Sequence, residues 1–326
     1  IDMSENQGLI FAYLLNGEGG GQALDWQAVN SWSPSMGMLW VHLDYEHHES
    51  RQWIKDNSQL DSLTQLSLLA EETRPRCVSH DQGLLINLRG VNSNPGSEPE
   101  DMVSIRIYCD GKRIISTRNR RLLSVQDLGA AIEKGTGPKN AGELIASLAY
   151  RLTARMSDVI SGLDDTVDAF EEEIIGQPNQ SFRSQLVGLR REVIMLRRYL
   201  APQRDALSRL QSENVDWLSA ENKLTLREAG DRLIRYIEDL DSSRDRAAVA
   251  YEELNSQLAE QMNSRMYVLS VVAALFLPLG FLTGLFGINV GGIPFAEDPY
   301  GFIEIILLLV FIVVLQLVLF RYKKWF

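Results

Sequence analysis

The chain has 326 residues and a formal net charge of −11, with 32 basic against 43 acidic side chains. That balance excludes a binder of nucleic-acid backbones, which needs clustered Lys and Arg; it suits either a vestibule that attracts cations or a plainly soluble surface. Two cysteines, Cys77 and Cys109, exclude a disulfide framework and a zinc ribbon and fit a reducing compartment.

From the N-terminus, short strand and helix signals alternate. Gly8–Leu15 is a compact apolar run ended by Gly-Glu-Gly-Gly-Gly, and Met38–Asp44 reads as a buried strand. Ser50–Asn57 and Leu60–Glu72 have helical spacing. Leu84–Val91 and Val103–Gly111 read as strands, the second alternating Val103, Ile105, Ile107 and Cys109 against Ser104, Arg106 and Tyr108, the pattern of a half-buried face. Arg113–Asn119 follows an Asp-Gly turn and so forms a hairpin with it. A helix then runs to Gly135. Residues 1–140 are therefore expected to form an α/β domain with a mixed sheet and helices outside.

Residues 141–265 are nearly all helical in pattern. Ala141–Ile175 reads as one long helix and Ser181–Leu210 as a second, which Pro202 is expected to kink or break. From Ser219 no proline occurs until Pro278. Leu226, Gly230, Leu233, Ile237, Leu240, Ala247, Tyr251, Leu254, Leu258 and Met262 follow a heptad seam, with Arg244 interrupting it. With no stop signal before the apolar segment, this helix is predicted to continue into it as a stalk of roughly 100 Å, at about 1.5 Å per residue.

No charged residue occurs from Tyr267 to Val290, and a second apolar run extends from Phe302 to Phe320. Each suffices for the ~20 apolar residues that cross a bilayer. The expected architecture is thus α+β: a cytoplasmic α/β domain, a long helical stalk, a first transmembrane helix (266–290), an outer loop (291–301), a second transmembrane helix (302–320) and a basic tail (321–326). Glu297, Asp298 and Glu304 balance Arg321, Lys323 and Lys324, so the net negative charge lies on the soluble part. The basic tail keeps both termini cytoplasmic.

Two helices cannot enclose a water-filled path, so conduction requires a ring of copies. The first span is the better lining. One side carries the small or polar residues Ala273, Gly280, Thr283, Gly284, Gly287 and Asn289, with Met266, Leu269 and Leu277 continuing the stripe inward. The alternatives are that the glycines serve close helix packing, that Leu269, Phe276 and Leu277 face lipid, and that Asn289 is a helix cap. With no carboxylate on this span, nothing there can replace the water of a divalent cation. The ion would keep its water, held at the outer mouth by Asn289 and the carbonyls of Gly287 and Ile288, and drawn in by Glu297 and Asp298. His42, His47 and His48, with acids around them, form the one histidine cluster and a candidate zinc site; surface or capping roles are the alternative. No nucleotide loop and no nucleophile–base pair stands out, so no cofactor and no enzymatic activity is expected, and transport would run down an electrochemical gradient.

Gly287-Ile288-Asn289 between two terminal spans resembles the CorA metal-ion transporter superfamily, whose signature there is Gly-Met-Asn. The changed middle residue, with Thr73–Arg76, Gly135–Pro138, Arg197–Arg204 and the run Phe281–Asn289, is similar to the ZntB zinc-transporter branch. The resemblance covers essentially the whole chain. It implies a homopentamer with a cytoplasmic funnel, a pore lined by the first span, Asn289 at the selectivity position, and a bacterial inner-membrane location. It implies zinc as the main cargo, with proton coupling as a further expectation. A magnesium or broad divalent-cation channel on the same scaffold is the alternative, and a membrane-anchored cytoplasmic sensor without transport is the third reading. The expected partners are further copies of the chain, membrane lipid and divalent metal ions, with no nucleic acid.

Overall fold

A computed structural model describes residues 8–80, 82–176, 181–288, 290, 291, 293, 294 and 298–323. Contacts within it divide the chain into two units, Ile1–Tyr251 and Glu252–Phe326.

The first unit opens on strand β1 (Leu9–Leu15), which returns as β2 (Gly21–Ala23). The turn between them needs its glycines: Gly17 and Gly19 have φ of 78° and 102°, and the Asn16 side chain accepts the amides of Glu18 and Gly20. Helix α1 (Trp26–Asn30) is capped by Asp25, and β3 (Met38–Asp44) follows. Next come α2 (His48–Asp56) and α3 (Ser62–Leu69), the latter capped by Asp61. The strands β4 (Arg76–His80), β5 (Gly83–Gly90), β6 (Val103–Cys109) and β7 (Arg113–Arg118) lead to α4 (Leu123–Glu133). Among the described residues the sheet has seven strands in the order β2-β1-β3-β7-β6-β5-β4. β3 and β7 are parallel and the other neighbouring pairs antiparallel, the mixed sheet expected from the sequence. The β6–β7 hairpin turns at Gly111 (φ 84°), with Asp110 accepting two backbone amides.

Two strands escaped the sequence pattern, β2 and β4, and both lie at the edges of the sheet. Edge strands bury fewer side chains and so carry little periodic signal. The opposite departure occurs at β6, where the alternation predicts one solvated face but all seven residues are buried. One face packs on Val29, Ile54 and Leu68 from α1, α2 and α3. On the other, Gly90 of β5, opposite Val103 of β6, faces Leu122 and Leu152. Arg106 is buried because its guanidinium stacks 4.4 Å from the Tyr45 ring and donates to the Glu71 carbonyl at 2.8 Å.

Helices α5 (Ala141–Ala154) and α6 (Ser157–Gly176) replace the single helix predicted over 141–175. No Gly or Pro marks the break. At the break Arg155 pairs with Asp127 of α4 at 2.5 Å, and Met156 is buried in the core. Helix α7 (Ser181–Ser212) carries Pro202 inside it without interruption. After Pro202 the buried Gln203 accepts the Arg89 amide of β5 at 2.7 Å, anchoring the helix to the sheet.

The last soluble element is the start of α8 (Ala220–Phe286), a helix of 67 residues. Leu226, Leu233, Leu240, Ala247 and Leu254 are fully buried at the heptad spacing, as the seam predicts. Arg244 does not occupy the seam. Ser243 is the buried residue there, while Arg244 pairs outward with Asp241 and Asp245. Arg246 of α8 binds Asp164 (3.0 Å), Asp168 and Glu171 (2.6 Å) on α6, and Asp241 receives Arg197 of α7 at 2.7 Å. Met262 at the end of the predicted seam is exposed.

The second unit contains the remainder of α8 and the helix α9 (Gly301–Tyr322). Both helices are long and apolar enough to cross a membrane.

Candidate cation pathway

Positions 266, 269, 273, 277, 280, 284 and 287 recur at steps of three and four, so they share one face of α8. That whole face is exposed in the single chain: Leu269 is 69% and Leu277 75% exposed, and Met266, Ala273, Gly280, Gly284 and Gly287 are exposed as well. Thr283 lies at its border, its hydroxyl donating to the carbonyl of Leu279 at 2.9 Å. A methyl group added at Gly280 or Gly284 would meet nothing within 4 Å in this chain. The opposite face of α8 is the covered one. Val271 is buried, Pro278 and Leu282 are half-covered, and the Ala274 carbonyl accepts the Gln316 side chain of α9 at 3.3 Å. The two helices thus leave the stripe free for contacts outside the chain.

The stripe carries no formal charge, so the electrostatics of its outer end come from the backbone. The final carbonyls of a helix lack amide partners and carry its negative dipole end. Gly287 satisfies two of them, its amide donating to Thr283 at 2.9 Å and to Gly284 at 3.2 Å. A side chain at Gly287 would put its Cβ 3.0 Å from the Thr283 carbonyl, so glycine permits this tight closure. The Ile288 carbonyl accepts the amide of Val290 at 3.0 Å. The set is one of neutral oxygen donors, able to hold a hydrated cation through its water but too weak to strip it.

Asn289 and Glu297 lie outside the described residues. Asp298 is described and opens α9: its carboxylate accepts the Tyr300 amide at 2.9 Å and its carbonyl the Gly301 amide at 3.0 Å. The sequence assigned Asp298 to cation attraction alone; its turn-forming contacts came into view only with the fold.

The histidine trio does not converge. His42 is buried on β3, its Nδ1 2.8 Å from the Ser116 hydroxyl and its ring stacked on Phe11. Burial, helped by the Arg118 charge, pushes its pKa well below the usual imidazole range and keeps it neutral. His47 is the N-cap position of α2 and His48 its first residue. Among the described residues no three His, Cys, Asp or Glu side chains group as metal ligands. The candidate zinc site at His42, His47 and His48 is therefore corrected to one core histidine and two residues at a helix start. Cys77 is a buried thiol with its pKa pushed up to about 12 by burial, as expected for a structural rather than reactive cysteine.

Comparison with known proteins identifies relatives of the whole chain. The family described as CorA-like Mg2+ transporter protein matches residues 35–324. The chain is 42% identical over 328 residues to the divalent cation transporter CmaX of Pseudomonas aeruginosa, covering 99% of this chain and 98% of that one. It is 38% identical over 316 residues to the zinc transport protein ZntB of Yersinia enterocolitica, covering 97% and 95%. The solved structure of full-length CmaX superposes with a TM-score of 0.86 at 40% identity, over 99% of this chain and all of that one.

Proposed function

The chain belongs to the CorA-like Mg2+ transporter family and is a divalent-cation transporter, and from that premise we propose that it carries zinc, as a hydrated ion, through a homopentameric pore lined by the exposed stripe of α8. The observation that carries this reading is the stripe itself: one uncharged face of the first span, free of contact with α9, from Met266 to Gly287. A ring of such faces encloses water while α9 meets lipid. Gly287, Ile288 and Asn289 form the outer selectivity position, holding the ion by neutral oxygens, and Glu297 and Asp298 raise the local cation concentration. The similarity to a zinc transport protein supports zinc as cargo, and a proton gradient is the coupling force. The protein sits in the bacterial inner membrane with both termini cytoplasmic, because Arg321, Lys323 and Lys324 flank the inner end of α9 while the outer loop carries acids.

A second reading has its own support: the family description names magnesium, and the relative CmaX is described as a transporter of divalent cations broadly. One flux assay separates the two. In proteoliposomes, zinc uptake exceeding magnesium uptake, and rising with an imposed pH gradient, upholds the zinc reading. Magnesium competing equally, with no response to the gradient, transfers the assignment to a broad divalent-cation channel. Asn289→Ala is expected to alter ion preference in either case; unchanged flux and preference would remove Asn289 from the pathway.

A further inference from the structure

Pro278 lies inside α8, in the middle of its apolar segment. Proline has no amide hydrogen, so the carbonyl four residues back, that of Ala274, loses its helical donor. The Ala274 carbonyl is turned toward α9 and away from the stripe, where a neighbouring helix can take the missing amide's place. Gln316 of α9 does so, its Nε2 donating to the Ala274 oxygen at 3.3 Å across 42 residues of sequence. Gln316 is the only polar side chain between Glu304 and Arg321. The residues around it, Val314, Leu315, Leu317 and Val318, show that packing against lipid or α8 needs no amide here. Thr283 cannot serve instead, since its hydroxyl is directed to the carbonyls of Leu279 and Gly280.

The other half of the Gln316 amide, Oε1, is buried and has no hydrogen-bond partner among the described residues. The amide fits the single group that Pro278 leaves without a donor.

We propose that Gln316 is a positioning residue for transport: by bonding the carbonyl that Pro278 frees, it latches α9 to α8 at the proline turn and sets the course of the pore-lining stripe beyond it. Interhelical bonds of this type are modest, so this one can open and close without dismantling the hairpin. The proposal rests on the reading that α8 lines the path.

The test is a double-mutant cycle on the full-length protein, with Gln316→Met, Pro278→Ala and the pair, read both as zinc flux in proteoliposomes and as thermal midpoint in detergent. Gln316→Met is expected to lower maximal flux about three- to twenty-fold, the range interhelical hydrogen bonds span, with the half-saturating zinc concentration unchanged. In the Pro278→Ala background the restored backbone amide takes the Ala274 carbonyl, and Gln316→Met should then change neither flux nor midpoint. Equal losses in both backgrounds would make Gln316 a packing residue and overturn the proposal. If Gln316→Met fails to assemble, recovery of assembly in the Pro278→Ala background supports the latch and continued failure overturns it. A wild-type chain that moves no cation sinks the pore reading and with it the transport role, whereas the coupling in midpoint still reports separately on the bond.

Discussion

The two units treat the same kind of residue in opposite ways. In the first, Trp40, Ile54 and Ile86 are completely buried within the chain itself. In the second, Leu269, Leu277, Phe281, Phe302 and Phe311 are each more than 60% exposed. Apolar area on that scale does not stay in water; it marks a surface for lipid or for another protein. The first unit therefore closes its own core, whereas the second leaves its apolar surface to be covered from outside the chain. Polar groups divide in the same way. The first unit pairs its charges side chain to side chain, as Arg246 does with three carboxylates, and the second answers a single free carbonyl with a single amide.

Substitutions that act on one unit and spare the other test this contrast. The largest effect is expected at the stripe. Gly284→Phe should place a ring of aromatic side chains in the path and reduce flux below detection, while unfolding of the first unit, followed by its tryptophan fluorescence, stays unchanged; residual flux at the wild-type level would place Gly284 off the path. Next is the closed core. Trp40→Ala deletes a fully buried indole bonded to Ser116 at 2.9 Å and should cost about 3–5 kcal/mol in denaturant unfolding of the first unit. A loss below 1 kcal/mol would mean that this core is not closed as described.

Smaller effects should come from the charged groups. Arg246→Gln removes a cation shared by Asp164, Asp168 and Glu171. These groups are partly exposed, so the loss should be about 1 kcal/mol at low salt and should shrink as ionic strength rises; a loss independent of salt would point to packing instead. Asp61 tests the helix cap by pH. The Thr64 hydroxyl and backbone amide, His80 and the Leu63 amide hold its carboxyl down to about 2. A folded-state value below the unfolded value of about 3.9 stabilises the fold above that pH, and the contribution is lost as pH falls toward 2. Asp61→Ala should therefore cost about 1 kcal/mol at neutral pH, with the gap to wild type narrowing between about pH 4 and pH 2. A gap constant across that range would show that the charge of Asp61 contributes nothing.

Much of this was readable in the residues. Hydropathy located both spans, because a bilayer demands a long uncharged run whatever surrounds it. Spacing alone placed Met266, Leu269, Ala273, Leu277, Gly280, Gly284 and Gly287 on one helix face. The heptad at Leu226, Leu233, Leu240, Ala247 and Leu254 was likewise legible, since each of these burials repeats at a fixed local period. The histidines of the segment 42–48 were misleading for the same reason. Nearness in sequence grouped them, but a strand and a helix start send them to different surroundings.

Periodicity and charge, which any short window reveals, thus determined the class of molecule: a soluble mixed domain, a long helix, and a hairpin for a membrane. What the tertiary structure decided depends on groups far apart in the chain. It ended the helix at Arg155, where that side chain pairs with Asp127 of α4 and Met156 turns into the core. It buried Arg106 because the Tyr45 ring covered its guanidinium. It gave Gln316 a purpose because Pro278 had left the Ala274 carbonyl without a donor. Each outcome turns on a partner dozens of residues away, and a polar group's free energy is set by the partner it finds, which no local pattern specifies.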